Sequence, residues 1–259
     1  MKIKNALVTC MFKTCKCTAY VKSVLNKNNI KNISVQRRYL TKNHFKNKNL
    51  VISVGGDGTF LRTSHFIKDN TLILGVNSDY KLKEGFYLKA NSRNFENILK
   101  KIIKNEFKIL RLNRLKAKIN GKELPIYALN EFFIGRKKSY DLARMYVKIG
   151  NKKEFQKNSG VIVGTASGSH AWIYSAGGKK MPLDSDKFQY VVREPFHGRL
   201  LKEYKLKKGI LNKNQKIIII PEMYDSILVA DSGSKEYPLE IDSKVEISMS
   251  DKKLRVICF

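Results

Sequence analysis

The residues best suited to chemistry lie in Val54-Gly55-Gly56-Asp57-Gly58-Thr59-Phe60-Leu61. Glycines between a hydrophobic strand and a helix let the backbone come close to a ligand and reach positive φ. The amides that open the following helix favour phosphate. Asp57 is a carboxylate inside that turn, which is unfavourable beside anions unless it meets a metal or a proton donor. A hydroxyl about to attack phosphorus is such a donor, so the pattern points to phosphoryl transfer. The plain alternative is a tight strand–helix turn with Asp57 as its N-cap. Other phosphate motifs are absent. No G-x-x-x-x-G-K-[ST] occurs, Gly177-Gly178-Lys179-Lys180 lacks its spacing, and neither G-x-G-x-x-G nor the protein kinase signatures are present.

Gly55-Gly-Asp-Gly-Thr59 resembles the signature shared by NAD kinases, 6-phosphofructokinases and the diacylglycerol/sphingosine lipid kinases. The second half of the chain chooses among them. Leu129-Asn130-Glu131-Phe132-Phe133-Ile134-Gly135 resembles the Asn-Glu motif of NAD kinases. Thr165-Ala-Ser-Gly-Ser-His-Ala-Trp172, continued by Ser175-Ala-Gly-Gly178, resembles their Thr-x-Thr-Gly-Ser-x-Ala-Tyr segment. Gly75-Val-Asn77 and Gly85-Phe-Tyr87 match the pieces between, and the whole follows the family's order over about residues 50–235. Gln156-Lys-Asn-Ser-Gly160, Trp172 and Val192-Arg-Glu-Pro195 resemble the branch that includes the animal mitochondrial NAD kinase.

The resemblance implies an ATP-dependent kinase for the 2′-hydroxyl of the adenosine ribose of NAD(H), with Mg²⁺ or another divalent cation accompanying ATP and no dedicated metal ligands. It makes Asp57 the general base, and Gly55, Gly56, Gly58 and Thr59 the holders of triphosphate oxygens. Asn130 offers a donor and an acceptor, which suits an adenine edge, and Glu131 can accept from a ribose hydroxyl. Ser167, Gly168 and Ser169 would form a polar loop against the dinucleotide. Ala171 leaves space for a ring and Trp172 offers a stacking face. Ser175, Arg144, Lys157 and Ser159 match family positions near the ligand, and most NAD kinases carry Asp at the position of Ser159. His170 lines the site by spacing. Phe86 and Tyr87 either border the pocket or pack in the core. The competing functions are a lipid kinase of the diacylglycerol type and a non-catalytic dinucleotide-binding regulator. By the same resemblance a homo-oligomer, dimer or tetramer, is expected, with an active site between two domains.

The elements that would position these groups follow from hydrophobic periodicity. Strands are expected at residues 3–9, 49–54 and 71–76, alternating with helices at 17–28, 59–68 and 93–105. The first helix would turn Ala19, Val21, Val24 and Leu25 inward; the third would bury Phe95, Ile98, Leu99, Ile102 and Ile103. From about residue 108 the pattern becomes mostly strands: 110–119 and 123–134 about Asn120-Gly121, 143–149 and 153–157 about Gly150-Asn151, then 160–164, 215–220, 226–231, 243–249 and 253–258. The pattern gives an α/β first part and a mostly β second part, and the resemblance implies the fold class: an α/β N-terminal domain (Rossmann-like, phosphofructokinase-like) plus a β-rich C-terminal domain (a β-sandwich of the NAD kinase type). The division expected is 1–108 and 109–259, with the last residues free to return to the first domain.

Composition narrows the remainder. The chain has 259 residues, 42% of them hydrophobic, which is globular rather than disordered. No apolar run approaches the roughly 18 residues of a membrane helix, and no signal or transit peptide is evident, so a cytoplasmic location without membrane contact is expected. Lys and Arg number 51 against 22 Asp and Glu, a formal charge of +29. These charges are scattered rather than grouped in an arm, so a nucleic-acid partner is not expected. Cys10, Cys15, Cys17 and Cys258 form no C-x-x-C pair and read as reduced thiols, and none of the four histidines is placed as a metal ligand.

Overall fold

Alternating apolar segments and short amphipathic helices give the first third of the chain a parallel α/β layer. The computed structural model describes residues 3–12, 15–138, 140–198, 203–233 and 235–259. It divides into unit 1, Met1–Arg111 with Leu254–Phe259, and unit 2, Leu112–Lys253.

Unit 1 contains β1 (Asn5–Cys10), α1 (Lys16–Lys27), β2 (Lys31–Gln36), β3 (Leu50–Gly55), α2 (Asp57–Ser64), β4 (Leu72–Asn77), β5 (Leu88–Asn91) and α3 (Phe95–Ile103). β2, β1, β3 and β4 lie side by side, all parallel. β3 and β4 are buried along their whole length, as near-continuous hydrophobic runs in a covered parallel sheet should be. Val21, Val24 and Leu25 of α1 and Phe95, Ile98, Leu99 and Ile102 of α3 pack in the same core as Val8, Ile52 and Leu74. Two inward assignments are corrected. Ala19 is exposed while its neighbours Cys17 and Thr18 are buried, so the buried face of α1 is rotated from the one expected; Ile103 ends α3 and is 42% exposed. α2 also stops at Ser64, short of the expected residue 68.

Unit 2 continues with β6 (Lys108–Ile119, which begins in unit 1), β7 (Lys122–Ala128), β8 (Glu131–Arg136), β9 (Ala143–Ile149), β10 (Lys152–Asn158) and β11 (Val161–Gly164). α4 (Trp172–Ser175), β12 (Phe188–Val192), β13 (Lys208–Leu211), β14 (Lys216–Pro221), β15 (Ser226–Ala230), β16 (Glu236–Leu239) and β17 (Val245–Cys258) follow. β10, β9, β14 and the first half of β17 form one antiparallel layer, and β13, β12, β11, β8, β15 and β16 form the other. Their inward residues, among them Met145, Val147, Ile217, Val245, Phe132, Val163, Phe188 and Leu228, share one core. This is the arrangement of a β-sandwich. α4 covers the outer side of β11 and β12 through Ile162, Ile173 and Val191.

Three strand assignments change. The run 123–134 breaks at Leu129-Asn130 into β7 and β8, and 243–249 with 253–258 is a single strand, β17. The first half of β17 pairs with β14 and its end pairs in parallel with β4 at Arg255–Leu72 and Val256–Ile73. β2, β5, β12, β13 and β16 were not anticipated.

Candidate active site

In unit 1, β3 delivers Gly55 and the chain passes through Gly56 in extended backbone (φ −112°, ψ −178°) into α2, whose first residue is Asp57. Gly56, not Asp57, is therefore the N-cap. None of Gly55, Gly56 or Gly58 adopts positive φ, so the expected left-handed role is corrected to a steric one. A Cβ on Gly55 would stand 2.6 Å from Thr59 Oγ1 and 2.8 Å from Thr59 Cβ. At Gly56 and Gly58 the nearest atoms belong to basic side chains, Lys83 Cδ at 3.2 Å and Arg37 Nη1 at 3.5 Å from the position a Cβ would take. The three glycines leave a strip of bare backbone at the C-terminal end of a parallel strand, where open α/β sheets bind ligands.

The Asp57 carboxylate is held by two consecutive amides. Phe86 N–H donates to Oδ2 at 3.1 Å and Tyr87 N–H to Oδ1 at 2.9 Å. Each oxygen keeps a lone pair for a further bond. Gly85, at φ +71°, lets the chain turn so that both amides face the same carboxylate; a Cβ there would also meet Asn77 Nδ2 at 2.6 Å. The Tyr87 ring is buried and stacks on Phe60 with centroids 5.0 Å apart, and Phe86 meets it edge-on at 4.9 Å. Of the two roles open to Tyr87, its ring fills the core one, and its amide serves the site.

Two cations flank the strip. Lys83 lies in the loop after β4, which Asn77 closes by accepting from Asp79 N–H and donating to the Lys83 carbonyl. Its ammonium donates to Ser78 Oγ at 2.7 Å. Arg37 opens a 3-10 turn after β2, and its Nη1 donates to Thr59 Oγ1 at 3.4 Å.

In unit 2 the structure gathers Asn130, Glu131, Ser167, Gly168 and Ser169 into one buried polar knot. The break between β7 and β8 leaves three amides outside the strand ladder. Asp231 takes all three: Leu129 N–H at 2.9 Å, Asn130 N–H at 2.6 Å and Glu131 N–H at 3.1 Å. Asp231 and Ser232 hold φ near +51° and +49°, a strained pair at which Asp is better tolerated than most residues. Thr165 and Ser167 hydroxyls both donate to the Leu129 carbonyl, at 2.6 and 2.9 Å. Gly168 lies flat on Asn130, where any Cβ would run into the Asn130 carbonyl. Ser169 Oγ donates to the Ala166 carbonyl and accepts from Met181 N–H. Burial, and after it the charge of Asp231, pushes the Glu131 carboxyl up to about 8. Its Oε2 is buried without a hydrogen-bond partner. Asp231 and Thr165 escaped the sequence reading as functional residues; Asp231 lies 101 residues from Asn130 with no local motif around it.

Of the remaining candidates, His170 and Ala171 continue the knot, their N–H groups donating to the Ser167 carbonyl at 3.2 Å and the Gly168 carbonyl at 2.9 Å. The Trp172 ring is half-buried, with the Phe133 ring centroid at 5.2 Å and the Arg193 guanidinium at 5.2 Å from its own centroid. Ser159 lies beside Glu194, where its hydroxyl, and after burial is counted the Arg193 charge, hold that carboxyl below its usual range; Glu194 pairs with Arg193 at 3.0 Å. His170 is exposed, with Nε2 3.1 Å from the Met181 carbonyl, and Ser175 is exposed at the end of α4. Ala171, half-buried, caps the start of α4. Arg144 and Lys157 face one another across β9 and β10.

Comparison with known proteins decides the family. The ATP-NAD kinase N-terminal domain matches residues 3–107 and the ATP-NAD kinase C-terminal domain matches residues 129–259. The chain belongs to the ATP-NAD kinase family. A probable NADH kinase of Oryza sativa subsp. japonica is 33% identical over 257 residues, 91% of this chain and 78% of that protein. An NAD kinase of Caldicellulosiruptor saccharolyticus is 28% identical over 212 residues, 81% of this chain and 76% of the relative. The fold is that of two solved family structures. An NAD kinase from Archaeoglobus fulgidus in complex with ATP gives a TM-score of 0.79 at 23% identity, covering 97% of this chain and 92% of that one. Yeast NADH kinase complexed with NADH gives 0.80 at 14% identity, covering 99% and 84%. The C-terminal match separates this family member from the lipid kinases that share Gly-Gly-Asp-Gly-Thr.

Proposed function

We propose that this chain uses ATP to phosphorylate the 2′-hydroxyl of the adenosine ribose of NAD(H), giving NADP(H) and ADP. The observation that carries the reading is the Asp57 carboxylate, fixed by Phe86 and Tyr87 amides at the head of the glycine strip. Asp57 takes the hydroxyl proton as the ribose oxygen bonds to the γ-phosphorus. The bond from that phosphorus to the bridging oxygen breaks, and its electron pair leaves on ADP. Orientation and neutralisation of phosphate charge supply most of the acceleration in such a transfer.

Mg²⁺ enters as part of the substrate, bound to phosphate oxygens. The donors around the strip are amides, hydroxyls and cations, which suit phosphate. Among the described residues no group of three or more His, Cys, Asp or Glu could hold a metal ion. Gly55, Gly56, Gly58 and Thr59 hold the triphosphate in this reading. Asn130, Glu131, Ser167, Gly168 and Ser169 hold the dinucleotide, with His170 and Ala171 beside them, Ser159 and Ser175 as further contacts and Arg144 and Lys157 as a basic pair. A Glu131 that keeps its proton near neutral pH donates to a ribose oxygen as well as accepting from one. Among the described residues no helix is long and apolar enough to cross a membrane. We further assign the chain to the mitochondrial-type branch, on the strength of Gln156–Gly160, Trp172 and Val192–Pro195, and, by the family resemblance alone, a homo-oligomeric state and a cytoplasmic location.

The test is a coupled assay of NADP formation with Asp57→Asn as the variant. Turnover falls about 10²–10⁴-fold, the usual worth of a general base, while calorimetry shows NAD still bound. A variant with wild-type turnover removes Asp57 from the role of base.

A further inference from the structure

Arg37 and Lys83 reach the glycine strip from different elements, and the cationic head of each ends on a hydroxyl there. The Arg37 carbonyl accepts from Arg62 Nε at 3.0 Å, which ties its turn to α2, and its guanidinium then sits 3.4 Å from Thr59 Oγ1. The Lys83 stem passes Gly56, and its ammonium ends on Ser78, whose own amide donates to the Gly55 carbonyl at 3.0 Å. Both side chains are half-buried, and among the described residues neither forms an ion pair with a carboxylate. A hydroxyl satisfies one of three ammonium donors, or one of five guanidinium donors, and offsets no charge. The bare backbone of Gly56 and Gly58 runs beside these two cations, and a polyanion laid along it would meet both.

Resting on the kinase reading above, we infer that Arg37 and Lys83 are triphosphate-binding residues for the phosphoryl donor, Lys83 acting at Gly56 and Arg37 at Gly58 and Thr59. Arg37 presents a planar fork that suits two oxygens of one phosphate, whereas Lys83 supplies a compact point charge. Together they offset the repulsion between the Asp57 carboxylate and the incoming phosphates, in the manner of cationic clamps on a transferring phosphoryl group. Recognition through phosphate alone predicts that inorganic tripolyphosphate binds without a nucleoside.

The experiment compares wild type with Arg37→Gln, Arg37→Lys and Lys83→Met. NADP formation is measured with ATP and NAD varied separately, tripolyphosphate binding by calorimetry, and Tm alongside. Loss of one charged contact raises KM for ATP and Kd for tripolyphosphate by about tenfold or more. KM for NAD stays within about twofold, and Arg37→Lys recovers part of the loss. Unchanged ATP and tripolyphosphate values overturn the assignment. So does an equal rise in both KM values with a lowered Tm, which marks a structural role. If wild type makes no NADP, the kinase reading fails on its own. Tripolyphosphate binding then still decides: weaker binding in the variants upholds the two residues, and equal binding removes them.

Discussion

A carboxyl group that keeps its proton near neutral pH needs a physical cause, and Glu131 has two, its burial and the charge of Asp231. The consequence for stability has a definite sign. In the unfolded chain the group loses its proton near the ordinary value of 4.5, whereas in the folded protein it holds on until about 8. Between those values the folded state binds more protons, so stability falls as pH rises through the window and stays lower above it. Glu131→Gln keeps the shape and removes this loss. Its Tm is expected above wild type at about pH 9, with the difference closing by about pH 4; melting curves at the two pH values check it. Gly168→Ala acts by contact instead. The added methyl meets the Asn130 carbonyl, and overpacking of this kind costs about 1–3 kcal/mol or more, measurable by urea unfolding. At this scale the sequence singles out Asp57, Asn130 and Ser167 by side-chain type, and the structure buries Asn130 and Ser167 in one knot. The sequence was silent where backbone does the work. The amides of Phe86 and Tyr87 that orient Asp57 have no signature of their own, and Asp231 gains its meaning only from three amides a hundred positions earlier.

The break between β7 and β8 shows how an element boundary becomes a site. By alternation 123–134 is one strand, and nothing in Leu129-Asn130 forbids it. The chain turns there because Asp231 collects three amides that a ladder would otherwise have used. Asp231→Ala strands those donors in the interior, at about 1–3 kcal/mol for each one left unsatisfied. Destabilisation is expected to exceed that of Asp231→Asn, which keeps one acceptor oxygen; paired denaturant curves compare the two. Buried hydrophobic strands such as β3 and β4 were legible because their runs are continuous. β2 was not: Lys31–Gln36 has only Ile33 and Val35 as apolar residues, and both are at least partly exposed. β13 and β16 are short, and their identity comes from pairing with β12 and β15 rather than from their own pattern.

At the scale of the molecule, alternating strands and helices followed by hairpins were enough to separate an α/β part from a mostly β part, and the packing of the β part into two layers came from the resemblance. The place of β17 was not legible, because Asp251, Lys252 and Lys253 look like a turn between two strands. They are instead the exposed middle of one strand whose two halves pair with different neighbours. Ile257, from the last residues of that strand, is fully buried in the core of unit 1 with Val8, Ile52 and Leu74. Ile257→Ala is therefore expected to cost about 2–5 kcal/mol, and hydrogen exchange should show the loss in β3 and β4. Against the formal charge of +29, the pairs Glu96–Lys100, Lys137–Glu236 and Glu203–Lys207 are solvent-exposed and add little to stability.

The strand segment that borders Leu72 and Ile73 is made only after the strands of the sandwich. Until it emerges, β4 has an open edge beside those two residues and the core beneath lacks Ile257. The half that carries the glycine strip, although encoded first, reaches its finished form only once the intervening sandwich has been made.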